Sequence, residues 1–134
     1  MKSFPTGSVF PPLPANGNVQ TELQREVIRL KKEKDAIILA HNYQCEDIQA
    51  VADYVGDSLG LAYKAAAAKN STIVFCGVHF MAETAKIINP KAKVILPDAL
   101  STCSLVTQTD VVKLKQWRDT YPDYIHVSYI NSSA

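Results

Sequence analysis

Neither sign of charge prevails in this chain: 14 Lys and Arg face 13 Asp and Glu, for a formal net charge of +1 over 134 residues. That balance excludes a protein that holds nucleic acid by bulk positive charge, and it excludes an acidic disordered tail. No apolar run approaches the ~18 residues of a membrane span. The N-terminus carries one Lys, then Pro and Gly, without the apolar stretch of a secretory signal. A cytoplasmic location is therefore expected, where thiols stay free or metal-bound. Cysteine is scarce, at 45, 76 and 103, and no CxxC pair occurs. Thioredoxin-type exchange and a zinc ribbon are thereby excluded. Glycine is scarce too, with 5 in all. Gly56-Asp57-Ser58-Leu59-Gly60 lacks the Lys-Ser/Thr pair and the wider glycine spacing of a nucleotide loop. There is no short-period repeat.

What is present is one compact domain's worth of apolar residues, 47% of the chain. Residues 1–18 carry Pro5, Pro11, Pro12 and Pro14 and read as an N-terminal arm that cannot hold a helix. Val19, Leu23, Val27 and Leu30 mark one face of a helix over 19–34, with Thr21 and Gln24 as a capping box. Ala36–Ala40 is a continuous apolar run suited to a parallel strand covered on both faces, Thr72–Cys76 reads as a second buried strand and Lys93–Leu96 as a third. Ile48, Val51, Ala52 and Val55 predict an amphipathic helix closed by Gly56. Further helices are predicted over 59–69, 80–89 and 110–121, and a fourth strand over Tyr124–Ile130. Strands alternating with helices build an α/β fold, a three-layer αβα with a short parallel sheet.

In such sheets ligands bind beyond the carboxyl ends of the strands. His41, Asn42 and Tyr43 follow the first strand, and Gly77 and His79 the second. A polar loop with Ser101, Thr102, Cys103 and Ser104 follows the third, and Tyr129 and Asn131 lie at the end of the fourth. His41 suits proton movement near neutral pH or donation to an oxyanion; the plain alternative is a His bonded to a nearby carbonyl. Tyr43 adds a phenol donor. Asp57-Ser58 opens a helix and offers either an anion seat or a simple cap. Cys103, in a polar loop, reads as a ligand or nucleophile, against an ordinary surface Cys. Cys76 reads as a small core residue, Cys45 as a residue with no partner at ligand spacing, and His79 as a solvated or capping residue. Glu83 either orients a neighbour or is solvated. Tyr129 and Asn131 alternate on their strand and would point the same way.

Ala40-His41-Asn42-Tyr43-Gln44, Ala52 to Leu59 (with Gly56-Asp57-Ser58), Gly77-Val78-His79-Phe80-Met81-Ala82-Glu83-Thr84-Ala85-Lys86, and Leu96-Pro97-Asp98 with Thr102-Cys103-Ser104 occur in this order. Together they resemble the quinolinate synthase family of NAD biosynthesis. The resemblance implies three similar α/β domains about a pseudo-threefold axis, each giving one Cys to a [4Fe–4S] cluster whose open iron acts as a Lewis acid. It implies condensation of iminoaspartate with dihydroxyacetone phosphate to quinolinate, downstream of L-aspartate oxidase. On that basis residues 19–122 are the first domain and 123–134 the first strand of a truncated second one. Cys103 is then the metal ligand. His41, Tyr43 and Tyr129 are catalytic, and His41, Tyr43, Ser58, Tyr129 and Asn131 contact substrate. The two further Cys that the cluster needs are absent from this chain, so the chain alone is expected to fold but not to turn over. Rival expectations are a non-catalytic anion-binding or interaction module on the same fold, and a Cys103–His41 nucleophile enzyme. An unpaired face and an open edge predict self-association, as a homodimer or more. Neither nucleic acid nor membrane is an expected partner.

Overall fold

The computed structural model describes residues 21–134, so the expected arm over 1–18 lies outside the described residues. The first helix, α1 (Glu22–Glu33), starts at a reciprocal cap. The Thr21 N–H donates to Gln24 Oε1 at 2.9 Å, and the Gln24 N–H donates to Thr21 Oγ1 at 3.2 Å. Thr21 is itself extended and caps the helix, and the expected start at Val19 lies outside the described residues. The chain continues through β1 (Ala36–His41), α2 (Glu46–Gln49), β2 (Tyr54–Gly56), α3 (Ser58–Ala67), β3 (Thr72–Cys76), α4 (His79–Ile88) and β4 (Lys93–Ile95). Two more helices follow, α5 (Ser104–Thr107) and α6 (Val111–Thr120).

The strands form one sheet in the order β2-β1-β3-β4, every pair parallel. Side chains alternate across it. Leu39, Ile73 and Phe75 join Leu61 and Ala65 of α3 and Phe80, Met81, Ala82 and Ala85 of α4 in one buried cluster. Ile38 and Val51 are buried outside that cluster. They belong to the opposite layer, where Gln24 of α1 donates to the Asp47 carbonyl of α2 and Lys31 donates to the Val51 carbonyl. The result is the expected three-layer α/β/α arrangement. Among the described residues no helix is long and apolar enough to cross a membrane.

Two expectations fail for identifiable reasons. The helix expected across Ile48–Val55 stops at Gln49, and Tyr54–Gly56 is an edge strand instead. Asp53 enforces the change. Its N–H donates to the Ile38 carbonyl at 2.9 Å, its Oδ2 accepts the Ile38 N–H at 2.8 Å, and its Oδ1 accepts from Lys31 Nζ at 2.9 Å. A carboxylate that captures a strand's own N–H pins the following residues against that strand, and helical periodicity yields to the ladder. The strand expected over Tyr124–Ile130 does not form. A strand exists only against a partner, and this sheet ends at β2 and β4; Ile125 and Val127 are left 92% and 89% exposed. The apolar face of α1 is only half covered, with Leu23 exposed and Val27 and Leu30 at its margin. The polar loop after β4 also holds the short α5 that the sequence reading omitted.

Asp53→Ala is expected to lower stability by about 1–3 kcal/mol, the cost of losing hydrogen bonds to a charged acceptor. Urea denaturation measures it, and the Ile38 amide should lose hydrogen-exchange protection ahead of the β3 amides.

Candidate active site

The strand order contains a switch point. From β1 the chain goes to β2 on one side, then crosses to β3 on the other. Connections that diverge in this way leave a crevice at the carboxyl ends of β1 and β3. His41 is the last residue of β1, and Gly77-Val78-His79 leave β3. Gly77 is buried, and a Cβ there would lie 3.0 Å from Phe75 Cε1 and 3.3 Å from Met81 Sδ. A side chain there would press on Phe75 and Met81, so glycine suits the close turn from β3 into α4.

Among the described residues His41 is the one charged or polar side chain in the buried set, at 4% exposure. The Tyr43 N–H donates to its Nδ1 at 3.3 Å. That bond makes Nδ1 the acceptor, so in the neutral ring Nε2 carries the proton. Burial pushes the His41 pKa down from 6.5, and the nearby Asp57 carboxylate opposes this. The ring is therefore neutral at physiological pH and a donor through Nε2. The Tyr43 ring lies 4.1 Å from it, tilted by 53°, while Tyr43 itself is 85% exposed. Its phenol faces solvent at the crevice mouth.

His41 pairs in register with Gly56, and the Asn42 N–H donates to the Gly56 carbonyl at 3.0 Å. The start of α3 is thereby fixed beside the end of β1. Asp57 is the N-cap, its Oδ1 accepting from the Gly60 N–H at 2.7 Å. Ser58 does not cap. Its hydroxyl lies 3.8 Å from Met81 Sδ, which closes the gap between α3 and α4. A helix start with a serine hydroxyl outside the cap is suited to a carboxylate or phosphate oxygen.

Cys103 stands at the start of α5, half-buried, its carbonyl accepting from the Val106 and Thr107 N–H groups. It packs with Leu96, Val78 and Val106 against the main cluster. The His79 N–H donates to the Ser101 carbonyl at 2.9 Å and ties this loop to the head of α4. Thiol and imidazole thus lie at the same end of the sheet. His79 Nδ1 lies 3.4 Å from Glu83 Oε1, so Glu83 engages a neighbour that the sequence had left solvated. Cys76 ends β3 half-buried, and burial pushes its thiol pKa up, as befits a packed residue. Cys45 is exposed at the start of α2.

Tyr129 and Asn131 do not join the group. They lie on no strand, so the alternation that would aim them together is missing. Tyr129 is 73% exposed. The chain end runs instead to α4, where the Ala134 N–H donates to Glu83 Oε2 at 3.1 Å. Sequence reasoning also missed Asp53 as the anchor of β2 and Met81 as the neighbour of Ser58. An Asp interrupting Val51-Ala52 and Tyr54-Val55, the latter an aromatic and β-branched pair of strand-forming residues, was the available sign of the first.

The buried, neutral His41 makes stability depend on pH. Its folded pKa lies below the unfolded value of about 6.5, so between the two values the unfolded chain binds more protons. Stability then rises with pH and is lost as pH falls below about 6.5. The carboxylates held low, Glu26 by the Arg29 guanidinium and Asp35 by the Ser71 N–H, titrate below this window. The urea midpoint should therefore be lower at about pH 5.5 than at about pH 7.5, and His41→Gln should flatten that difference.

A family model described as Quinolinate synthetase A protein matches residues 25–134. The chain is 52% identical over 112 residues to a quinolinate synthase of Thermus thermophilus, covering 84% of this chain and 36% of that relative. A quinolinate synthase of Gloeothece citriformis is 51% identical over 121 residues, covering 90% and 38%. One of Pyrobaculum aerophilum is 50% identical over 112 residues, covering 84% and 36%. The chain spans little more than a third of the length of these relatives. With a parallel α/β/α sheet, a switch-point histidine and a match of this extent, the chain belongs to the quinolinate synthetase A protein family.

Proposed function

We propose that this chain is the first domain of a quinolinate synthase, and that its part in the reaction is to bind and orient the small dicarboxylate substrate at the β1–β3 crevice. The reaction of the whole protein is the condensation of iminoaspartate, supplied by L-aspartate oxidase, with dihydroxyacetone phosphate to give quinolinate. The observation that carries the reading is the buried His41, its Nδ1 satisfied by the Tyr43 N–H, at the strand end where the Ser58 hydroxyl and the Cys103 loop also stand.

Each group has a distinct task. His41 donates through Nε2–H to a substrate oxygen, its Nδ1 being held by the Tyr43 N–H. Donors placed where negative charge gathers are worth most when water is excluded. Tyr43 shields His41 with its ring and presents a phenol to the ligand. Ser58 and the first turn of α3 receive a carboxylate or phosphate oxygen. Tyr129 and Asn131 belong to the same pocket in this reading, brought in when Tyr124–Ile130 gains a strand partner from the rest of the protein. The boundary near residue 122 is then that of the second domain.

The residues present do not fit a complete [4Fe–4S] cluster. Among the described residues no three His, Cys, Asp or Glu side chains form a group able to hold a metal. Cys103 is a single free cysteine where such a cluster asks for three thiolates. It is assigned as this domain's one ligand, and no step is routed through the cluster.

A chimera tests the assignment: residues 25–134 replace the matching segment of the Thermus relative. The chimera should take up iron and sulfide with absorbance near 400 nm and form quinolinate. Cys103→Ser in it should abolish the absorbance. His41→Ala should keep the absorbance and lower quinolinate formation at least about 100-fold, the range of a lost acid–base or oxyanion donor. A chimera indifferent to both substitutions overturns the reading. The 134-residue chain alone should form no quinolinate.

A further inference from the structure

Asp57 performs more than a cap. In the β1–β2 register it directly follows the residue paired with His41, and the Asn42–Gly56 hydrogen bond locks that juxtaposition. The cap engages Oδ1 alone, through the Gly60 N–H at 2.7 Å. Room for that oxygen is reserved, because a Cβ on Gly60 would lie 3.0 Å from it. With the cap supplied by Asp57, the Ser58 hydroxyl is directed to the gap beside Met81 rather than to its own helix.

We propose that Asp57 is a positioning residue for the crevice: its Oδ1 holds the first turn of α3 so that the Ser58 hydroxyl stays available, and its negative charge lies beside the His41 imidazole. The carboxylate raises the proton affinity that burial lowers, and it is the charged group that acts on this ring. The other titratable neighbours are the Tyr43 phenol, on the ring tilted against His41, and the half-buried Cys76 thiol, one step from it across the β1–β3 ladder. A domain that must accept an anionic ligand thus carries a fixed carboxylate at the edge of the anion seat. This inference deepens the proposed reading of the same site, and its test does not depend on quinolinate formation.

The test is an NMR titration of the histidines of the 134-residue chain. Asp57→Asn keeps a side-chain oxygen for the Gly60 N–H and removes the charge, and Asp57→Ser is a second uncharged cap. In both variants the His41 midpoint should move to lower pH than in the unsubstituted chain, while His79 and His126 stay unchanged as internal references. Circular dichroism should stay unchanged for Asp57→Asn. Asp57→Ala should move the midpoint in the same direction and also lose exchange protection in the first turn of α3. An unmoved His41 midpoint in folded Asp57→Asn and Asp57→Ser overturns the proposal. It would leave the family reaction untouched, because the chimera measures that separately.

Discussion

The central constraint is the position of β1 between two parallel neighbours. Pairing with β2 on one side and β3 on the other fixes where three chain segments end. Because the ladders run parallel, the segments all end at the same rim, and the connections diverge there. His41, the head of α3 and the head of α4 follow from that one arrangement. The buried cluster of α3 and α4 against Leu39, Ile73 and Phe75 then makes the rim rigid, since a displaced helix would open the packing below it.

That rigidity allows an imidazole to be nearly dehydrated. Burial by itself costs His41 its charged form, and the site accepts this because a neutral ring with a defined tautomer is a directed donor. Tyr43 contributes twice, through its N–H to Nδ1 and through its ring over the imidazole face. Asp57 works against the dehydration from the neighbouring strand end. Ring, amide and carboxylate arrive from segments that the sheet register has already aligned, so little further ordering is needed for them to act together.

Much of this was legible in the sequence. The runs Ala36–Ala40 and Thr72–Cys76 are rich in apolar and β-branched residues and find each other as partners, and Thr21 with Gln24 specified the start of α1. Placing His41, Ser58 and Cys103 at one end required only that the strands be parallel. The errors arose where tertiary contacts decide. Val51, Ala52 and Val55 fit a helix by spacing, but Asp53 is captured by the Ile38 backbone, and no periodicity rule contains that bond. Tyr124–Ile130 has strand composition, yet composition cannot supply a partner, and so Tyr129 and Asn131 are not brought to the rim. Trp117 on α6 likewise remains 63% exposed, touching Tyr121 and His126 rather than a core.

The convergence on one rim is open to direct measurement. A nitroxide attached to Cys103, with Cys45 and Cys76 replaced by Ser, broadens amide resonances according to their distance from it. The account predicts strong broadening at His41, Gly77 and His79, with Asp35 and Thr72 at the opposite end of the sheet sharp. Sharp His41 and Gly77 resonances beside broadened Asp35 and Thr72 would contradict it.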